Sequence, residues 1–63
     1  MKIKPLETVL VASDICGVIM LKDKQYECKL SRPIERDNNR LYFIHPVYNC
    51  ECIGYKRQFN INE

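Results

Sequence analysis

The sequence predicts a small all-β domain, and three observations carry that expectation. From Gln25 to Leu30 and again from Arg57 to Asn62, polar and apolar side chains alternate strictly. Such alternation marks a strand with one buried and one wet face. No 3.6-residue apolar period runs anywhere along the 63 residues, so nothing competes with the strand reading. Prolines and polar pairs punctuate the chain at short intervals, as turns between short strands require.

Six strand-like runs follow. Thr8 to Ser13 is apolar on both faces, as a central strand would be, and Asp14, Ile15 and Gly17 break it. Cys16 to Leu21 comes next, and Asp23-Lys24 turns the chain into Gln25–Leu30, whose inward set is Tyr26, Cys28 and Leu30. Ser31 to Asn39 is the one long loop, with Pro33 unable to donate to a ladder and Asp37-Asn38-Asn39 suited to tight turning. Its composition makes it the most mobile internal segment and part of any binding surface. Arg40 to His45 is the fourth run, closed by Pro46. Val47 to Tyr55 is the fifth, with Tyr48, Cys50 and Cys52 on one face, Asn49 and Glu51 on the other, and a bulge or bend expected at Gly54. Phe59 and Ile61 point inward on the last run, which could be the bent continuation of the fifth. Five or six short antiparallel strands with tight turns favour a meander or a small barrel, SH3-like or partly open OB-like, because closure removes exposed edges.

Size and charge limit the function. One domain fills residues 1–63, and a chain this short buries only about 60% of its unfolded surface. A buried cleft of several hundred Å³ has no room beside such a core, which argues against an enzyme. The net charge of +2 permits nucleic-acid contact without demanding it. The N-terminus carries charges where a signal peptide needs an apolar core, and the apolar runs are too short to span a bilayer. A cytoplasmic protein with reduced thiols and no membrane contact is the expectation.

Four constellations of side chains could carry chemistry or binding. Cys16, Cys28, His45, Cys50 and Cys52 are metal-ligand types, but the closest pair, Cys50-x-Cys52, would hold its sulfurs on the order of 7 Å apart in a strand. That spacing suits neither a zinc knuckle nor a disulfide, so Cys28, Cys50 and Cys52 read as buried thiols of the core and no cofactor is expected. His45 with a cysteine could make a nucleophile–base couple, yet no third orienting group stands at a telling position. Arg32, Arg36 and Arg40, with Lys22, Lys24, Lys29, Lys56 and Arg57 and the tyrosines Tyr42, Tyr48 and Tyr55, form a set that could stack and track a single strand of RNA or DNA. Interleaved carboxylates make a solvated mixed-charge surface the simpler account.

The fourth constellation is apolar. Leu41, Tyr42, Phe43 and Ile44 are consecutive, and a strand sends alternate residues to opposite faces. One pair must stay outside the core, and an exposed apolar patch on a small domain marks a partner site. The sequence therefore reads as a non-enzymatic binding module, a protein-binding regulator or inhibitor of the kind mobile elements and phages make, acting through an exposed apolar strand face or by strand addition along an open sheet edge. Its contact set is Tyr42, Ile44, Arg32, Arg36 and Arg40, facing another protein or a second copy. Single-stranded nucleic-acid binding is the alternative reading, and a zinc-stabilised domain is the third.

Overall fold

The structure is a computed structural model that describes every residue except Glu35, Asp37 and Glu63. The expected mobility of the Ser31–Asn39 loop therefore falls partly outside the described residues. Among the described residues eight short strands form, in order, β1 (Lys2–Pro5), β2 (Val9–Ser13), β3 (Val18–Met20), β4 (Tyr26–Glu27), β5 (Lys29–Leu30), β6 (Arg40–Ile44), β7 (Glu51–Tyr55) and β8 (Phe59–Asn62), with a 3₁₀ helix, Lys56–Gln58, between the last two. The fold is all-β, as expected.

Two antiparallel sheets result: β4-β1-β8, and β3-β2-β7-β6-β5. They meet at Cys28, where one extended segment hands its first half to β1 and its second half to β6. A closed barrel does not form among the described residues. Pairing stops at β3 on one side and β8 on the other. At the β3 end the reason is local: the Leu21 N–H beyond the strand is taken by the Tyr26 hydroxyl at 2.9 Å instead of by another strand.

The first strand was not expected. Lys2-Ile-Lys-Pro5 carries its own alternation, with Ile3 and Pro5 buried and both lysines exposed. Its charges resemble a solvated terminus, but Ile3 pairs with Tyr26 on one side and Ile61 on the other. The fifth run also shortens. Pro46–Tyr48 is a turn, after which Asn49 adopts a left-handed φ of 53° and its N–H donates to the His45 carbonyl at 2.9 Å. Tyr48 is therefore exposed rather than inward, and β7 begins at Glu51. Leu30, also expected inward, stays partly exposed at the last paired residue of its strand. Gly54 makes no bulge: it pairs regularly with Leu41. The bend comes one residue beyond Tyr55, at the 3₁₀ helix, so β7 and β8 are separate strands.

The core is the sum of the inward phases: Ile3, Val11, Val18, Met20, Tyr26, Cys28, Leu41, Phe43, Cys50, Cys52 and Phe59. Phe43 lies at its centre, edge-on to Phe59 with ring centroids 5.8 Å apart. In β6 it is Leu41 and Phe43 that go in, leaving Tyr42 and Ile44 half-buried on the outer face.

Candidate binding surfaces

Strand register assembles the outer face of the five-stranded sheet. Leu10 lies opposite Ile19 across β2 and β3, and Ala12 opposite Ile53, which in turn lies opposite Tyr42. Arg40 faces Tyr55 one pair along. Since each of these residues shares the outward phase of its strand, an apolar band crosses the sheet from Ile19 to Tyr42. Leu10 keeps 71% of its surface exposed and Ile19 64%. A shallow depression of about 400 Å³ runs between Leu10, Ala12, Ile53, Tyr55, Arg40 and Gln58.

The Tyr42 end of this band is cationic. The Arg32 guanidinium lies 4.5 Å from the centre of the Tyr42 ring, and that of Arg57 lies 5.4 Å from the Tyr55 ring. Arg40 is held between the two tyrosines, its pKa raised first by a hydrogen bond to Tyr42 and then by charge interaction with both phenols. Ile44 sits in the next outer row, between Lys29 and Glu51. Glu51 is the one carboxylate in the paired rows of this face. Arg36 is exposed in the loop, without a described contact to the band.

The structure therefore divides the cationic set read from the sequence. Arg32, Arg40, Arg57, Tyr42 and Tyr55 come together. Lys22 and Lys24 stand on the turn after β3, Lys29 lies beside Ile44, and Lys56 is half-buried with its N–H bound to the Asn39 carbonyl at 2.7 Å. Tyr48 belongs to a different place altogether, stacked 4.9 Å from His45. Leu10, Ile19 and Ile53 were missed by sequence reasoning. Their apolar, strand-forming character was visible, but only register shows that they adjoin.

His45 is 97% buried, being 3% exposed. Its Nδ1 accepts from the backbone N–H of Val47 at 3.1 Å and of Tyr48 at 3.4 Å. Burial, reinforced by the Lys24 charge, lowers its pKa, so the ring is held neutral. This is a structural histidine that shapes the turn, and no nucleophile–base geometry accompanies it.

Cys28, Cys50 and Cys52 are buried free thiols, and Cys16 is an exposed one. The sulfurs of Cys50 and Cys52 are 3.9 Å apart, not the wider spacing a regular strand would impose. Cys50 lies before β7, just after the left-handed Asn49, so the alternation that separates side chains does not yet apply. Burial pushes the Cys28 thiol up to about 11 and the Cys52 thiol, which is also hydrogen-bonded to Cys50, up to about 12. Thiols held protonated by burial are poor nucleophiles. Among the described residues, no group of three or more Cys, His, Asp or Glu is placed to hold a metal ion. Nor is any helix among them long and apolar enough to cross a membrane.

No family model, curated protein or solved structure matches this chain.

Proposed function

We propose that the protein is a non-enzymatic binding module whose contact surface is the outer face of the five-stranded sheet, engaging a partner protein that offers apolar side chains flanked by carboxylates. The observation that carries this reading is the continuous band from Ile19 through Leu10, Ala12 and Ile53 to Tyr42. Cross-strand contact between Leu10 and Ile19 contributes only about 0.2–1 kcal/mol to the monomer, while much of the apolar surface of both stays in water. Covering what remains exposed of Leu10 (71%) and Ile53 (39%) would contribute about 1–2 and about 0.5–1 kcal/mol before ordering costs. The arginines at one end select for an acidic rim on the partner. For the architecture beneath, we read a partly open SH3-like barrel, supported by the single segment from Tyr26 to Leu30 that serves both sheets. A regulator or inhibitor acting by occupation of a partner's surface is the function class this implies.

A second reading has its own observation. Two tyrosines each stacked with an arginine, and a third arginine between them, are groups that could carry one or two unpaired nucleotides. Two variants separate the readings in a pull-down from the native host at several salt concentrations. Leu10→Ser with Ile53→Ser should abolish capture of a protein partner, and that capture should change little with salt. Arg32→Ser with Arg57→Ser should weaken nucleic-acid retention, which falls steeply with salt because counterions are released. Capture unaffected by the Leu10 and Ile53 changes overturns the protein-docking reading.

A further inference from the structure

A second concavity lies beyond the free edge of β3. It measures about 370 Å³ and is lined by Ile19, Leu21, Lys24, Tyr26, His45, Val47 and Tyr48. Val47 is 73% and Tyr48 61% exposed, so two walls are apolar surfaces turned to solvent. The pocket contains one cation and no carboxylate. Lys24 Nζ sits 5.4 Å from the centre of the Tyr26 ring.

His45 supplies the polar group. With Nδ1 occupied as an acceptor by two backbone amides, the proton of the neutral ring resides on Nε2. That N–H has no protein partner among the described residues, and it is not sealed from solvent, since Ser31 Oγ is the buried side-chain polar atom left without a partner there. A donor that opens onto a largely apolar pocket beside an ammonium group is arranged for an anion that arrives with an apolar body.

The strand edge supplies a backbone partner. Lys22 N–H donates to Thr8 Oγ1, toward β2, while Leu21 N–H donates to the Tyr26 hydroxyl, away from it. Since N–H directions alternate along a strand, the Ile19 N–H and C=O also point away from β2, onto the unpaired edge. They border the same pocket.

We propose that this pocket and the free edge of β3 together receive the C-terminal end of an extended peptide whose last side chain is apolar. The terminal carboxylate meets Lys24 and the Nε2–H of His45. The last side chain rests against Leu21, Val47 and Tyr48, and the peptide backbone pairs with Ile19. The site is distinct from the Tyr42 end of the outer sheet face, sharing Ile19 with the band.

The test uses a fluorescein-labelled hexapeptide ending in leucine, the same peptide amidated at its C-terminus, and N-acetyl-leucine as a competitor. Fluorescence anisotropy and backbone amide shifts are the readouts. The free acid should bind, shifting the amides of Ile19, Val47 and Tyr48. Amidation should weaken it by about tenfold or more, the loss expected when a charge-assisted pair is removed. Lys24→Gln, at an exposed turn position, should weaken the free acid several-fold and leave the amide unaffected. Tyr42→Ala with Ile53→Ser should change neither, which keeps failure of this site distinguishable from failure of the sheet-face reading. Equal binding of acid and amide, or an unchanged affinity in Lys24→Gln, would overturn the proposal. So would competition by N-acetyl-leucine as effective as the peptide itself, which would assign the pocket to a small apolar acid. Absence of any shift up to about millimolar peptide, the weakest affinity that registers as binding, also overturns it.

Discussion

Gly54 is glycine because of space, and replacing it measures how tightly the core is packed around Phe59. The residue is buried, pairs with Leu41, and does not have the left-handed φ that would demand glycine for conformational reasons. A Cβ built there would stand 2.6 Å from Phe59 Cε2 and 3.1 Å from Cζ. Carbon–carbon contacts are comfortable at about 3.5–4.0 Å, so the Phe59 ring would have to retreat by roughly 1 Å. Its room to move is limited by Phe43, which is fully buried and packs edge-on against it. Overpacking of this kind costs about 1–3 kcal/mol. Against that, alanine restricts the unfolded chain and returns about 0.4–1 kcal/mol. The net expectation for Gly54→Ala is a loss of about 1–2 kcal/mol. A domain of this length moves about 4–8 °C per kcal/mol, so Tm should fall by about 4–16 °C. Urea melts followed by circular dichroism give the free energy directly. Repeating the substitution in a Phe59→Leu background should make it at least about 0.5 kcal/mol less costly, since the clash is then relieved. A Gly54→Ala protein as stable as its parent refutes the packing argument. So does an identical cost with and without the Phe59 ring.

Two further outcomes follow from the thiols and the histidine. A thiol reagent such as Ellman's should label Cys16 rapidly in the native protein and Cys28, Cys50 and Cys52 only in denaturant; fast labelling of more than one thiol per native chain would contradict their burial. Stability should also have two pH flanks. The His45 pKa is lowered on folding, so its contribution is complete above the unfolded value near 6.5 and is lost as pH falls through the folded one, when Nδ1 can no longer accept from Val47 and Tyr48. The Cys28 and Cys52 thiols are raised to about 11 and about 12, so their contributions are complete below the unfolded thiol value and are lost as pH rises through the folded ones. Urea midpoints across pH check both, and a His45→Asn variant that keeps the full acid-side loss would remove His45 as its cause.

The alternation at Gln25–Leu30 and Arg57–Asn62 was legible because each stretch has one dry and one wet face, and most of it survives in β4, β5 and β8. Lys2–Pro5 had the same alternation in miniature, but two lysines and a proline argue for a solvated end unless the partners on either side are known. Val47 and Tyr48 went the other way. Both are strong strand formers, and the turn that holds them depends on His45 Nδ1 accepting their amides, a tertiary choice that propensity cannot see. The same limit governs the surfaces. Tyr42 could be singled out because β6 alternates within four residues. The join from Leu10 to Ile19 and from Ala12 through Ile53 to Tyr42 is a matter of register between strands far apart in the chain, and nothing local encodes it.

The placement of β1 bears on how the two sheets assemble. Lys2–Pro5 pairs with Asn62–Phe59 along its whole length, so β1 takes as its neighbour the described strand most distant from it in sequence. The hairpin of β2 and β3 and the ladder between β6 and β7 close over shorter stretches. Pairings across so much chain are the slow ones to form, so the three-stranded sheet is the later of the two to be completed. Loss of even β8's few residues would leave an otherwise assembled sheet with β1 half unpaired.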